Sequence, residues 1–348
     1  MYSTSSQRKR LQWIDIAKGI GIILVVIGHC NPPAEIEKII FSFHMPLFFF
    51  VSGYVYRQSD AGTSHFLART KKDFVRLILP YVATVCLVAI FWLLIRAQGK
   101  PGAYDSLSAL FKSALYGSGS NHNGIRLIGE IWFLLALFWA RRIMDAVFLC
   151  ENRLFRLFLV IGIAGAGIAL AAAGLWIPAN VDIAFVAVGF MYAGWLLQKK
   201  PGLFDNPAFL CLMLLIGAAS LFSSGLRMSS RRYYDMWFIV LPGAVALSIL
   251  VCKASMLLEM VKGVRSFLAF VGRHSLLFMC VHSLDWRMPF PRFGQSFVSA
   301  YRGAGWLWIL SSSHRFLFDL LITLLVLGGL KLFRLIRGKN RKNAAESL

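Results

Sequence analysis

The sequence predicts an all-α fold: a polytopic membrane bundle of about ten transmembrane helices with both termini cytoplasmic. Of its 348 residues, 58% are hydrophobic and only 15% charged, with a mean hydropathy of +0.65. Soluble domains average roughly 45–50% apolar and 25% charged residues, so a soluble globule is excluded. The apolar residues come in blocks of about 20, the length that crosses a hydrocarbon core of about 30 Å as a helix, whereas a membrane β-barrel would show short alternating segments. Basic residues crowd the ends of these blocks, as cytoplasmic loops require.

The first block, 13–30, follows Arg8-Lys9-Arg10 but carries Asp15 and Lys18 and lacks a small-x-small cleavage site, so it is expected to remain as the first helix rather than leave as a signal peptide. The second, 39–56, contains Met45-Pro46, where a missing backbone donor should bend the helix below His44. The third runs near 77–96, the fourth over 128–144 from Glu130, the fifth over 157–176 and the sixth over 182–198 from Asp182. The last four lie near 208–223, 236–252, 266–284 and 315–333. With the N-terminus inside, Arg57, Arg69, Lys71, Lys72, Arg76, Arg141, Arg142, Arg153, Arg156, Lys199 and Lys200 all fall inside, and an even span number returns the C-terminus to the same face. Three outer loops are long, at 97–127, 224–235 and 285–314. The six cysteines are scattered without a CxxC pair and read as small buried hydrophobes.

Lys and Arg number 37 against 16 Asp and Glu, a formal charge of +21. In a soluble chain that would suggest nucleic acid, but no RRM, KH or zinc-finger pattern is present, and membrane topology accounts for the excess.

An ionisable residue inside a span costs at least about 2.5–3.5 kcal/mol at the bilayer centre and marks a functional site by default. Asp15 and Lys18 stand three residues apart on one helix face, where they can neutralise each other. His29 lies about 16 Å further along the axis, toward the outer side. Threading the chain brings His44, Glu130, Asp182 and His282 to a similar depth. Three histidines and two carboxylates allow a zinc site, although no HxxxH or HExxH spacing occurs, so no metal is expected. They equally allow a histidine base oriented by a carboxylate, the arrangement that deprotonates a hydroxyl for acyl transfer. A glycan transporter or flippase with a buried proton relay is the rival class, without the paired broken helices that mark midplane transport sites.

Asp15-Ile-Ala-Lys18 through Gly28-His29, followed by Phe41-Ser-Phe-His44-Met-Pro through Ser52-Gly53-Tyr54, resembles the start of the membrane acyltransferase 3 family, in its fucose 4-O-acetylase-like branch. Glu130-Ile-Trp132-Phe133-Leu is similar to that branch's Trp-Phe-Leu helix, and Phe270-Val-Gly272 through His282 to its late glycine, serine and histidine signature. An arginine usual in the first motif is Lys18 here, which keeps the charge and loses the bidentate fork, and Leu135 stands where a proline is common.

The resemblance implies an acyltransferase domain over 1–338 with a short polar cytoplasmic tail at 339–348, in a bacterial cytoplasmic (inner) membrane. It implies an O-acyltransferase carrying an acyl group, usually acetyl, from cytoplasmic acetyl-CoA to a hydroxyl of an extracytoplasmic sugar or polysaccharide. Catalysis is then expected at His29, with His44 and Glu130. Donor and substrate binding are expected at Lys18, Asp15, Ser52 and His282, and at Arg69, Lys72 and Arg76, whose charges suit the phosphates of CoA.

Overall fold

Backbone amides in hydrocarbon must be satisfied internally, and these apolar blocks do so as helices. A computed structural model of the chain describes residues 11–58, 63–223, 225–285, 287–289, 296 and 305–346, with side chains described neither at 63–65 nor from 338 on. Arg8, Lys9 and Arg10, and most of 290–304 in the expected third outer loop, lie outside the described residues. Every element longer than a bridge is helical among the described residues.

The order is α1 (Gln12–Gly28), α2 (Ala34–Tyr54), α3 (Thr63–Asp73), a π-helical segment Phe74–Ile78, α4 (Leu79–Ala97), α5 (Leu107–Tyr116) and α6 (Trp132–Val147). There follow α7 (Arg153–Ala172), α8 (Val181–Gln198), α9 (Pro207–Leu221), α10 (Trp237–Leu258), α11 (Lys262–Arg273), α12 (Ser275–Asp285) and α13 (Leu307–Glu346). Asn152 and Asn206 start α7 and α9 by accepting amides of the first turn. Pro46 sits inside α2, which stays helical from Ala34 to Tyr54.

Each of the ten expected blocks holds helix. Among the described residues six stretches are long and apolar enough to cross a membrane: Ala34–Tyr54, Phe66–Ala97, Arg153–Ala172, Pro178–Gln198, Trp237–Leu258 and Leu307–Arg337. The helices at the first, fourth and seventh blocks are shorter, 17, 16 and 15 residues in α1, α6 and α9. The ninth block departs from the single helix expected of it: α11 and α12 meet at 71°. His274 causes the break by leaving helical geometry, at φ −102° and ψ 13°, with its amide divided between the Phe270 and Val271 carbonyls.

Small residues let the central helices touch. A Cβ on Gly19 of α1 would collide with the Leu268 carbonyl of α11, and one on Gly272 of α11 would collide with the Asp15 carbonyl of α1. The same reciprocal contact joins α2 and α8, through Gly53 against Met191 and Gly194 against Phe50. Apolar helices gain no hydrophobic drive from meeting in lipid, so such close van der Waals approach is what holds them. α2 and α8 are thereby buried in the middle, while α4, α7 and α13 turn most of their apolar side chains outward.

The loop between α9 and α10, with Ser229, lies beside His29 at the end of α1, whereas the start of the continuous stretch Phe66–Ala97, with Lys72 next to Asp73, lies toward the other end with Lys18. A membrane-impermeant thiol reagent applied to intact cells should therefore label a cysteine at Ser229 and spare one at Lys72, in a background freed of native cysteines. Labelling in the reverse pattern would invert the bundle in the membrane.

Candidate active site

α1 ends in Gly28, and the next residue, His29, points its ring across to the approach to α6. There His29 Nε2 stands 3.3 Å from Glu130 Oε1. The Ile131 amide donates to Ser283 Oγ at 3.3 Å, and that hydroxyl in turn donates to Glu130 Oε2 at 2.8 Å. Both carboxylate oxygens are thus engaged. The His29 side chain keeps 25% of its surface accessible and Glu130 only 8%, so the pair has one open member, the imidazole.

Behind His29 lies a second, closed layer. The His29 and His282 rings are 5.7 Å apart. His282 Nδ1 lies 2.6 Å from Asp319 Oδ2, and its Nε2 lies 3.5 Å from Arg315 Nη2. A guanidinium can only donate, so Nε2 accepts and the proton sits on Nδ1, given to Asp319. Arg315 also holds both oxygens of Asp285 at 2.7 Å, the His29 carbonyl at 2.9 Å and Cys30 Sγ at 3.8 Å. All five of its N–H groups have acceptors. His282, Asp285 and Asp319 bring ligand-type atoms within 4.8 Å of one another, and Arg315 takes the cation's place beside them.

A cavity of about 410 Å³ opens at the end of α1, lined by His29, His44, Glu130, Trp132 and two loop segments, 119–121 and 227–230. His44 Nδ1 is tied to the Ile40 carbonyl at 2.8 Å, and the Phe41 ring stands 5.9 Å from the His29 ring and 5.0 Å from that of His44. The loops are pinned from behind. Ser120 Oγ donates to the Ser229 carbonyl at 3.2 Å, and Arg231, 1% exposed, pairs with Asp182 at 2.6 Å. Asp182 therefore does not line the cavity with the histidines; its charge is consumed in fixing the loop that walls the cavity. Arg227 pairs with Glu37 at 3.1 Å and lies over Phe41 at 4.8 Å, so this wall is closed to a first approximation in charge.

A second cavity, about 110 Å³, opens toward the end of the bundle where Lys and Arg gather. Lys18, Ser52, Asp73, Arg76 and Arg141 form its polar part, and Phe48, Phe133, Leu137 and Leu276 its apolar part. Met279 of α12 lines both cavities, so one thioether side chain stands between them.

Of the residues expected from sequence, His29, His44 and Glu130 share the first cavity, and Lys18, Ser52 and Arg76 the second. Asp15 is buried in α1 where α11 crosses it and lines neither cavity, and His282 sits in the layer behind His29. Arg69 is engaged elsewhere, 2.5 Å from Asp145 and 5.2 Å from the Tyr56 ring centroid, and Lys72 is exposed. The sequence reading missed Arg141 and Asp73. Arg141 Nε holds Asp73 at 2.8 Å while its Nη1 donates to Ser52 Oγ at 3.4 Å. It also missed Ser283, Arg315 and Asp319. The last two were open to discovery, being four residues apart in an apolar span.

A family model described as an acyltransferase domain matches residues 11–333. None of the curated proteins and none of the solved structures matches the chain.

Proposed function

The chain belongs to the acyltransferase 3 family, and from that premise we propose that it is an integral membrane O-acyltransferase, moving an acetyl group from cytoplasmic acetyl-CoA to a hydroxyl of an extracytoplasmic sugar or polysaccharide. One observation carries the reading: the His29–Glu130 pair faces one cavity, a cation-lined cavity opens toward the other end, and the two share Met279.

Lys18, Arg76 and Arg141 draw the CoA phosphates to the cytoplasmic mouth, and the apolar wall of Phe48, Phe133 and Leu137 guides the thioester toward Met279. The sugar enters from the opposite face, among Trp132, Asn121 and Ser229. An ionised Glu130 accepts only, so it keeps a proton on His29 Nε2 and leaves the Nδ1 lone pair as the base. Nδ1 takes the hydroxyl proton as that oxygen attacks the thioester carbonyl; the C–S bond breaks, and the thiolate of CoA receives the proton back from the imidazolium. With hydroxyl and thioester meeting at Met279, the acyl group need not pass through an enzyme side chain first.

The substrate assignment is tested by nuclear magnetic resonance of surface glycans purified with and without the gene. O-acetyl signals that vanish with the gene support it, and unchanged signals refute it. Met279 supplies a second test. Trimming it to alanine enlarges the junction, so Met279→Ala should raise the kcat/KM ratio of propionyl-CoA to acetyl-CoA by about tenfold, the scale of one methylene in an apolar pocket. An unchanged ratio would remove the thioester from that junction.

A further inference from the structure

A third and larger cavity, about 1150 Å³, lies away from both substrate cavities, among the start of α7, the end of α8 and the start of α9. Its rim carries Arg153, Arg156, Lys199 and Lys200 against the single carboxylate Glu151. Its walls are not those of a polar ligand site: Leu154, Leu157 and Leu196 are large, exposed and face the direction of lipid. Tyr192 and Trp195 stack between rim and wall with ring centroids 5.4 Å apart, and Lys199 Nζ lies 5.3 Å above Trp195. Aromatic residues under a basic rim mark the level where headgroups give way to acyl chains.

Arg156 adds an independent observation. It is 4% exposed, yet its hydrogen bonds run to neutral carbonyls, from Nε and Nη2 to Cys150 and from Nη2 to Glu151, and its guanidinium lies over Phe148 at 4.4 Å. The other buried arginines among the described residues, Arg142, Arg231 and Arg315, hold carboxylates. A buried cation whose bonds are all to neutral dipoles is costly unless an anion is near.

We infer that this groove is a binding site for an anionic phospholipid, its headgroup phosphate held by Arg153, Lys199 and Lys200 beside Arg156 and its acyl chains laid along Leu154, Leu157 and Leu196. Basic pockets between membrane helices on the cytoplasmic side hold such headgroups. Free phosphate would satisfy the rim and leave the apolar wall bare, and a zwitterionic lipid would cover the wall and leave the charges uncompensated. The site is separate from the acyl-transfer cavities and does not depend on the reading of that reaction.

The test uses the full chain in detergent, by native mass spectrometry and thermal unfolding with phosphatidylglycerol or phosphatidylcholine added. Phosphatidylglycerol should remain bound and raise the Tm, phosphatidylcholine should do neither, and Lys199→Gln with Lys200→Gln should weaken phosphatidylglycerol binding roughly tenfold or more, as expected on removing two charges near a lipid phosphate. Both residues are exposed, so the double variant should fold, and its Tm without lipid checks this. Equal retention of the two lipids, or unchanged binding in the folded variant, would overturn the site. Displacement of the lipid by inorganic phosphate or by acetyl-CoA at millimolar concentration would assign the rim to a soluble anion instead and equally overturn it.

Discussion

His29→Ala is expected to lower acetyl transfer by about 10²–10⁴-fold, the usual contribution of a positioned acid–base group. The protein should still insert and purify, because the ring faces a cavity and leaves no sealed void when removed. His29→Gln keeps hydrogen-bonding capacity next to Glu130 but cannot carry a proton, so it should be nearly as slow. Initial rates of CoA release with acetyl-CoA measure both. His282 is poorly placed to replace it, its Nε2 lone pair being turned to Arg315 and its Nδ1 proton to Asp319, whereas His44 lines the same cavity and donates from Nδ1 to the Ile40 carbonyl but has no carboxylate beside it like Glu130. A His29→Gln enzyme with near wild-type rate would make His29 a hydrogen-bonding residue and move the base to one of those two.

The second large effect concerns stability. Arg315→Met removes the cation from between Asp285, His282 and the His29 carbonyl, leaving Asp285 buried at 3% exposure without its bidentate partner. Breaking one member of a buried pair typically costs about 3–5 kcal/mol, so the variant should unfold well below the wild-type temperature. Asp285→Asn with Arg315→Met deletes the stranded charge as well and should recover part of that loss. A double variant no more stable than Arg315→Met alone would show that the arginine acts through His29 and His282 rather than through the ion pair. Both variants should be slow in transfer, since Arg315 fixes the carbonyl of the residue that bears the proposed base.

The helical bundle was legible because hydropathy alone demands it, and the glycines at 19, 53, 194 and 272 were visible without their purpose. Which backbone each glycine meets is a long-range fact that no local pattern contains. The break at His274 was hidden for a related reason: the sequence there offers no proline, and the 71° turn sits at a histidine that leaves helical geometry without one. At the site, His29, His44 and Glu130 were found by counting depth along helices, which works because each span fixes its residues' heights. Depth does not fix azimuth. Asp182 has a matching height and faces Arg231 instead. Arg69, Lys72 and Arg76 sit at spacings that share a face of a regular α-helix, but Arg76 lies within the π segment Phe74–Ile78, Arg69 is taken by Asp145 and Lys72 is exposed, so only Arg76 of the three reaches the second cavity. Arg141 looked like a topology signal at a helix end, and its grip on Asp73 and Ser52 emerges only when α3 and α6 are brought together.

The measurement that bears most directly on the central claim uses the purified chain in proteoliposomes, oriented so that labelled acetyl-CoA meets only the face carrying Arg76 and Lys72, with an envelope glycan fraction enclosed on the other face. The account expects acetyl label to appear as base-labile ester on the enclosed glycan, with equimolar CoA released outside, and both signals to fall about 10²–10⁴-fold in His29→Ala. Label transferred at an equal rate by His29→Ala, or found only on glycan placed on the same face as acetyl-CoA, would contradict it.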